Sequence, residues 1–290
     1  MKNFIISSES ASDLTNTLIK NYELEIMPMK YFINGKEFSS ENSENRSQDI
    51  IIEAMKNGAT TTTTQPNEFE IECYLKNLLK KKKDILHLSF SSAMSGTCQN
   101  FKNVAEKLNK NNSNKIYVVD TLCQSSGLGL LLSILCEKVE KDNLSFNQAI
   151  EFVEKNKLSI NHVFMVDTLT YLAKGGRISN KQAILGNIIK IKPILYLDET
   201  GKICLAQKTL GRKKALSLIV NKFIQTYNSS SEIVYIGHSE CLEDATKVKT
   251  ELMEKFPNLR VQIIPFGPII LSHCGPKTLA LFYTSNTRKY

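Results

Sequence analysis

The chain has 290 residues, 42% of them hydrophobic and 23% charged, with a formal net charge of +8 at pH 7. That balance excludes a disordered chain, because there is enough apolar side chain to offset the entropy of ordering it. It also excludes a membrane span: the longest apolar run, Gly127 to Cys136, contains a serine and is about half the roughly 20 residues required.

The stretch Met1 to Ser8 is too short for a signal peptide's apolar region, so a cytoplasmic protein is expected. The positive charge does not imply nucleic acid. Lysines outnumber arginines 32 to 5 and are spread along the chain, whereas bidentate base reading favours arginine. The scarcity draws attention to Arg177 and Arg212. Seven scattered cysteines without a Cys-x-x-Cys, and four histidines without ligand spacing, imply reduced thiols and no metal site.

In chain order, Phe4-Ile5-Ile6 predicts a strand, and Ser10 a cap for a helix reaching Lys20. Ile26 to Phe32 reads as a strand and Asn34-Gly35 as a turn. Helices are expected over Gln48 to Met55 and from Pro66-Asn67 to the lysine run. Strands Ile85 to Phe90 and Lys115 to Val119 each feed a helix, from about Gly96 and beyond Gln124 respectively, as in parallel α/β units. The second half differs. His162 to Val166 is a strand, Pro193 to Leu197 and Ile203 to Ala206 form a hairpin, and Ala245, Val248, Leu252 and Phe256 stripe a helix between two further strands. The expectation is two α/β domains, 1–155 with an N-terminal parallel sheet flanked by helices and 156–290 as a mixed α/β domain.

Four polar loops carry the candidate chemistry. Thr60 to Pro66 and Ser91 to Thr97 offer hydroxyls and free N–H groups before helix starts, on what read as adjacent parallel strands, and together suit a shared anion site. For either loop taken singly, helix capping is the better account, and it is the pair that suits an anion. Lys174-Gly175-Gly176-Arg177 is a glycine turn with two cations, but no P-loop. Gly267 to Pro276 holds His273, either a satisfied core histidine or a partner for an anion. Ser95 and His273 suggest a nucleophile and base, yet Gly-x-Ser-x-Gly and an orienting carboxylate are missing. From the residues alone, the reading stops at an α/β protein with an anion-binding crevice.

At these loops the chain resembles the DegV family. Ser8 to Leu14 is similar to the family's Thr-Asp-Ser-Thr-x-Asp-Leu opening, with Glu9 in place of aspartate. Thr63-Thr64-Gln65-Pro66, Met94-Ser95-Gly96-Thr97 and Val119-Asp120-Thr121 follow in order. Tyr171 to Ser179 is the most specific match, and Gly211-Arg212, His238-Ser239 and His273 with Gly275-Pro276 complete it, Lys277 standing where the family has glycine.

The resemblance implies two α/β domains with a long-chain fatty acid between them and no other cofactor. Its carboxylate would be held by Thr63, Ser95 and the Gly96 backbone, with His273 near. It further implies a carrier rather than an enzyme, one that presents the acid to a separate ATP-using fatty acid kinase making acyl-phosphate. Arg177 and Arg212 would dock that kinase, and a transient contact with a membrane surface would exchange the ligand. The alternatives are a phosphotransferase subunit related to dihydroxyacetone kinases and a serine esterase built on Ser95 and His273.

Overall fold

A computed structural model describes residues 3–40, 46–179, 190–286, 288 and 290. Strands β1 (Phe4–Glu9), β2 (Glu25–Met27), β6 (Asp84–Ser89) and β7 (Ile116–Asp120) form a parallel sheet in the order β2-β1-β6-β7. Alternation along the strands splits the packing between its two faces. Ile5 and Ile85 meet Ile71 and Leu75 of α3 (Glu68–Leu79) and Phe101 and Val104 of α4 (Thr97–Asn109). Phe4, Ile6, Leu86 and Leu88 face the core that includes α5 (Ser125–Asp142) and α6 (Phe146–Asn156). The α3 start is fixed by a capping box in which Asn67 and Glu70 each accept the other's backbone N–H.

The second sheet is mixed. Its six strands run in the order β10 (Ile203–Leu210), β9 (Ile191–Leu197), β8 (Ile160–Met165), β13 (Leu279–Thr284), β11 (Ile233–His238) and β12 (Arg260–Pro265), with only β11 and β12 parallel. One face packs on α8 (Arg212–Thr226) and α9 (Leu242–Lys255). Tyr235, Ala280 and Phe282 of the other face join the core around α5. Helix α5 is therefore buried on nearly all sides, which explains a sequence too apolar for a surface helix. The expected division at residue 155 falls at the end of α6, and α5 on its near side packs against both large sheets.

Four expectations are corrected. The stretch Ile26 to Phe32 is not one strand: Pro28 separates β2 from β3 (Lys30–Ile33), which lies in a different sheet. Ser10 does not cap a long helix. Ser10–Ser12 is a single 3-10 turn, and α1 (Asn16–Asn21) is capped by Thr15, whose side chain accepts the Leu18 N–H. The threonine run is not a loop on a parallel strand but β5 (Thr61–Thr64), antiparallel to β3 in a three-stranded sheet with β4 (Lys36–Ser39). The Gly267 to Pro276 segment is largely helix, α10 (Pro268–Cys274), with Pro268 in its first turn. α10 packs against β5 and β3, against α2 (Arg46–Lys56) and against α7 (Thr170–Lys174), so His273 faces the threonine strand.

Candidate functional site

Segments launched from all three sheets meet around one cavity of about 550 Å³. β5 brings Thr63 and Gln65, the turn after β6 brings Ser95 and Gly96, α10 brings His273, and the turn after α7 brings Arg177. Gln65 and Gly96 are exposed at one end. Phe164, Phe266, Ala280 and Phe282, each at most 5% exposed, line the other. A polar mouth leads into an apolar interior.

At the mouth, Thr63 Oγ1 and His273 Nε2 lie 2.8 Å apart. The other ring nitrogen of His273 is buried without a hydrogen-bond partner, seated against Gly175, where a Cβ would lie 2.4 Å from it. Burial, with the Arg177 guanidinium nearby, pushes the imidazole down to about 4, so the ring is neutral at pH 7. Arg177 itself is half-buried and donates to the Gly175 carbonyl. Burial lowers its pKa, but a guanidinium keeps its charge. Ser95 Oγ lies 2.8 Å from Thr97 Oγ1 and accepts the Thr97 N–H at 3.3 Å. Gly96 is the N-cap of α4 and supplies no side-chain cap, leaving the positive helix end turned toward the mouth.

Two buried carboxyls hold this assembly. Glu9, fully buried, accepts from Ser89 Oγ at 2.6 Å and from the Phe90 N–H at 3.0 Å, and pairs with His87 Nε2 at 3.2 Å. It thereby fixes the first residue of the turn that carries Ser95. Asp13, in left-handed backbone, bonds Ser125 Oγ at 2.5 Å and the Gly267 N–H at 2.9 Å. It joins the starts of α5 and α10 across the cavity, and burial pushes its carboxyl up to about 8 against those two hydrogen bonds.

Thr63, Ser95, Gly96 and His273, expected together, are together in the wall. Arg177, expected at an exposed docking surface, also lines the cavity, because its side chain folds back on Gly175. Arg212 is not part of this wall. It pairs with Asp244 at 2.5 Å, donates to the Lys277 carbonyl at 2.7 Å and lines a separate groove with His238 and Glu240. Lys277 adopts left-handed backbone, φ 59°, the conformation for which glycine is preferred. Sequence reasoning missed Asp13, Gln65 and the phenylalanines. Asp13 and Gln65 left a signal, as members of the Ser8 to Leu14 and Thr63 to Pro66 motifs, and the phenylalanines left none.

A family model described as an uncharacterised protein of the DegV family matches residues 3–286. A DegV domain-containing protein of Clostridium perfringens is 32% identical over 291 residues, covering all of both chains. The chain belongs to the DegV family. Its α/β fold matches solved DegV structures. One, from Thermus thermophilus and described by its fatty-acid binding, has a TM-score of 0.86 at 24% identity, over 98% of this chain and 99% of that one. Another, DegV of Bacillus subtilis, described as a fatty acid binding protein, has a TM-score of 0.83 at 24% identity, over 99% and 100%. In this DegV chain, no helix among the described residues is long and apolar enough to cross a membrane.

Proposed function

We propose that this DegV protein binds a long-chain fatty acid with its tail in the cavity and its carboxylate at the mouth. There Thr63, Ser95, the Gly96 backbone and His273 hold it, with Arg177 supplying the opposing charge. The observation that carries the reading is the cavity's polarity, hydroxyls and a helix start at the exposed end and aromatic and aliphatic walls at the buried one. Each buried methylene is worth about 0.8 kcal/mol, so the tail supplies affinity and the polar end fixes orientation. DegV structures described as fatty-acid-binding support the same reading.

The protein acts as a cytoplasmic carrier, not a catalyst, and presents the carboxylate to a separate ATP-dependent fatty acid kinase. A carboxylate oxygen attacks the γ-phosphorus, and the acyl-phosphate forms as ADP leaves. Arg212, outside the cavity, and Arg177, at its mouth, engage that kinase, and a transient membrane contact exchanges the acid. The hydrolase alternative lacks its central bond: Ser95 Oγ pairs with Thr97 and His273 Nε2 with Thr63, and no carboxylate among the described residues orients His273.

Organic extraction and mass spectrometry of the purified protein test the reading. Co-purifying C16–C18 acids support it. An empty extract, with no binding of added palmitic or oleic acid, overturns it.

A further inference from the structure

The buried end of the cavity is built on two adjacent rows of the mixed sheet. Strand pairing places Phe164 of β8 beside Ala280 of β13, and Ala280 beside Gly237 of β11. Two residues along, on the same face, His162, Phe282 and Tyr235 form the second row. Phe164, Ala280 and Phe282 line the cavity, as does Phe266, which follows β12.

Gly237 lies behind this wall and decides where the wall stands. A Cβ at Gly237 would lie 2.2 Å from Phe266 Cε1, 2.7 Å from Phe266 Cζ and 3.0 Å from Phe282 Cε2. Gly237 is not among the positive-φ glycines, so space and not backbone freedom is what the position demands. The two rings occupy the volume that any side chain would take.

Their surroundings leave one direction for retreat. Phe282 meets His162 edge to face, centroids 5.3 Å apart. His162 is pinned in turn by the Gln124 N–H at 3.2 Å and the Ile160 carbonyl at 3.0 Å. It also sits so close over Gly127 that a Cβ there would lie 2.1 Å from Nε2. Tyr235 is held by Ser133, 2.6 Å from its hydroxyl. Phe266 and Phe282 both line the cavity, which is the open space beside them.

We propose that Gly237 is a specificity-determining residue that sets the longest acyl chain the cavity accepts, by letting Phe266 and Phe282 stand back from its buried end. The inference rests on the cavity holding a fatty acid tail. Carbon atoms pack at about 3.5–4.0 Å, so Gly237→Ala drives the Phe266 ring inward by roughly 1.3–1.8 Å, about one methylene of tail. Each excluded methylene lowers affinity for the longest acids about fourfold.

The test compares wild type, Gly237→Ala and Phe266→Leu by titration with saturated acids from dodecanoic to icosanoic. The expected result is a preference moved to shorter acids in Gly237→Ala and to longer acids in Phe266→Leu. A folded Gly237→Ala with the wild-type preference overturns the inference. Where that variant does not fold, Phe266→Leu decides alone: a longer preference supports the inference and an unmoved one overturns it. Wild type that binds none of the acids removes the fatty-acid reading and this inference together, an outcome distinct from an unshifted preference.

Discussion

Thr63 and His273, 210 residues apart in the chain, share a hydrogen bond of 2.8 Å between Oγ1 and Nε2. A strand of the small antiparallel sheet and a helix that follows the mixed sheet are thus locked together at the mouth. The polar groups there are oriented by one another, so a ligand does not have to pay for arranging them.

This bond and the burial of His273 give a pH prediction. The imidazole sits at about 4 in the folded protein against an ordinary value of 6.5. As pH falls below 6.5 the unfolded chain takes up the proton first, so stability declines between pH 6.5 and 4, by on the order of 3 kcal/mol. His273→Gln should lack that decline, measured by urea unfolding of both proteins across the window. Parallel pH profiles would show that the ring titrates freely in the folded state.

Ser95→Ala should reduce two quantities together. Loss of a hydrogen bond to a charged carboxylate should weaken fatty-acid binding by about 10- to 150-fold. Loss of the acceptor for the Thr97 N–H should lower the stability of the empty protein by about 1 kcal/mol, as for other helix caps. Calorimetric titration and thermal melts on one preparation separate the two, and intact binding in a folded variant would remove Ser95 from the ligand site.

The two arginines should behave differently because they stand in different places. Arg177→Ala, in the cavity wall, should weaken fatty-acid binding and also slow acyl-phosphate formation with a cognate kinase. Arg212→Ala should leave fatty-acid affinity unchanged, slow the kinase reaction and cost up to about 1 kcal/mol through its partly exposed pair with Asp244. Equal losses of affinity in both variants would assign Arg212 to the ligand site.

Glu9 reaches three partners, and the aspartate common in this family is one methylene shorter. Glu9→Ala should destabilise by about 1–3 kcal/mol for each donor it leaves unsatisfied, the Ser89 hydroxyl and the Phe90 N–H. Glu9→Asp should lie between the alanine variant and wild type. Chemical denaturation checks both, and a near-neutral alanine variant would mean that water replaces the carboxylate.

The parallel units were legible because β6 and β7 each run into a polar turn that feeds a helix, and the Asn67 to Glu70 box marks its helix start in four residues. The threonine run was not legible. Threonine suits a strand as well as a cap, and the partners that make Thr61–Thr64 a strand, Tyr31 and Phe32 among them, lie some 30 residues earlier. The mouth residues were found through short motifs at loops. The buried end was not, because Phe164, Phe266 and Phe282 look like any core phenylalanine until the strand register puts Phe164 and Phe282 on one face and Phe266, after β12, joins them in the cavity wall. Arg177 was misplaced for a local reason, as its return to the Gly175 carbonyl cannot be read from a glycine-flanked position.

The Asp13 bridge bears on how an acid enters and leaves. Separating α5 from α10 strips the buried Asp13 carboxyl of at least one of its two hydrogen bonds, so that seam resists parting. If the cavity holds an acid as proposed, its route is the rim where Gln65, Ser92 and Gly96 are exposed to solvent. On the proposed reading, the residence time of the acid should follow opening of that rim rather than parting of the two helices. Amide hydrogen exchange should accordingly be faster at the exposed Gly96 than at Gly267, whose N–H is held by the buried Asp13.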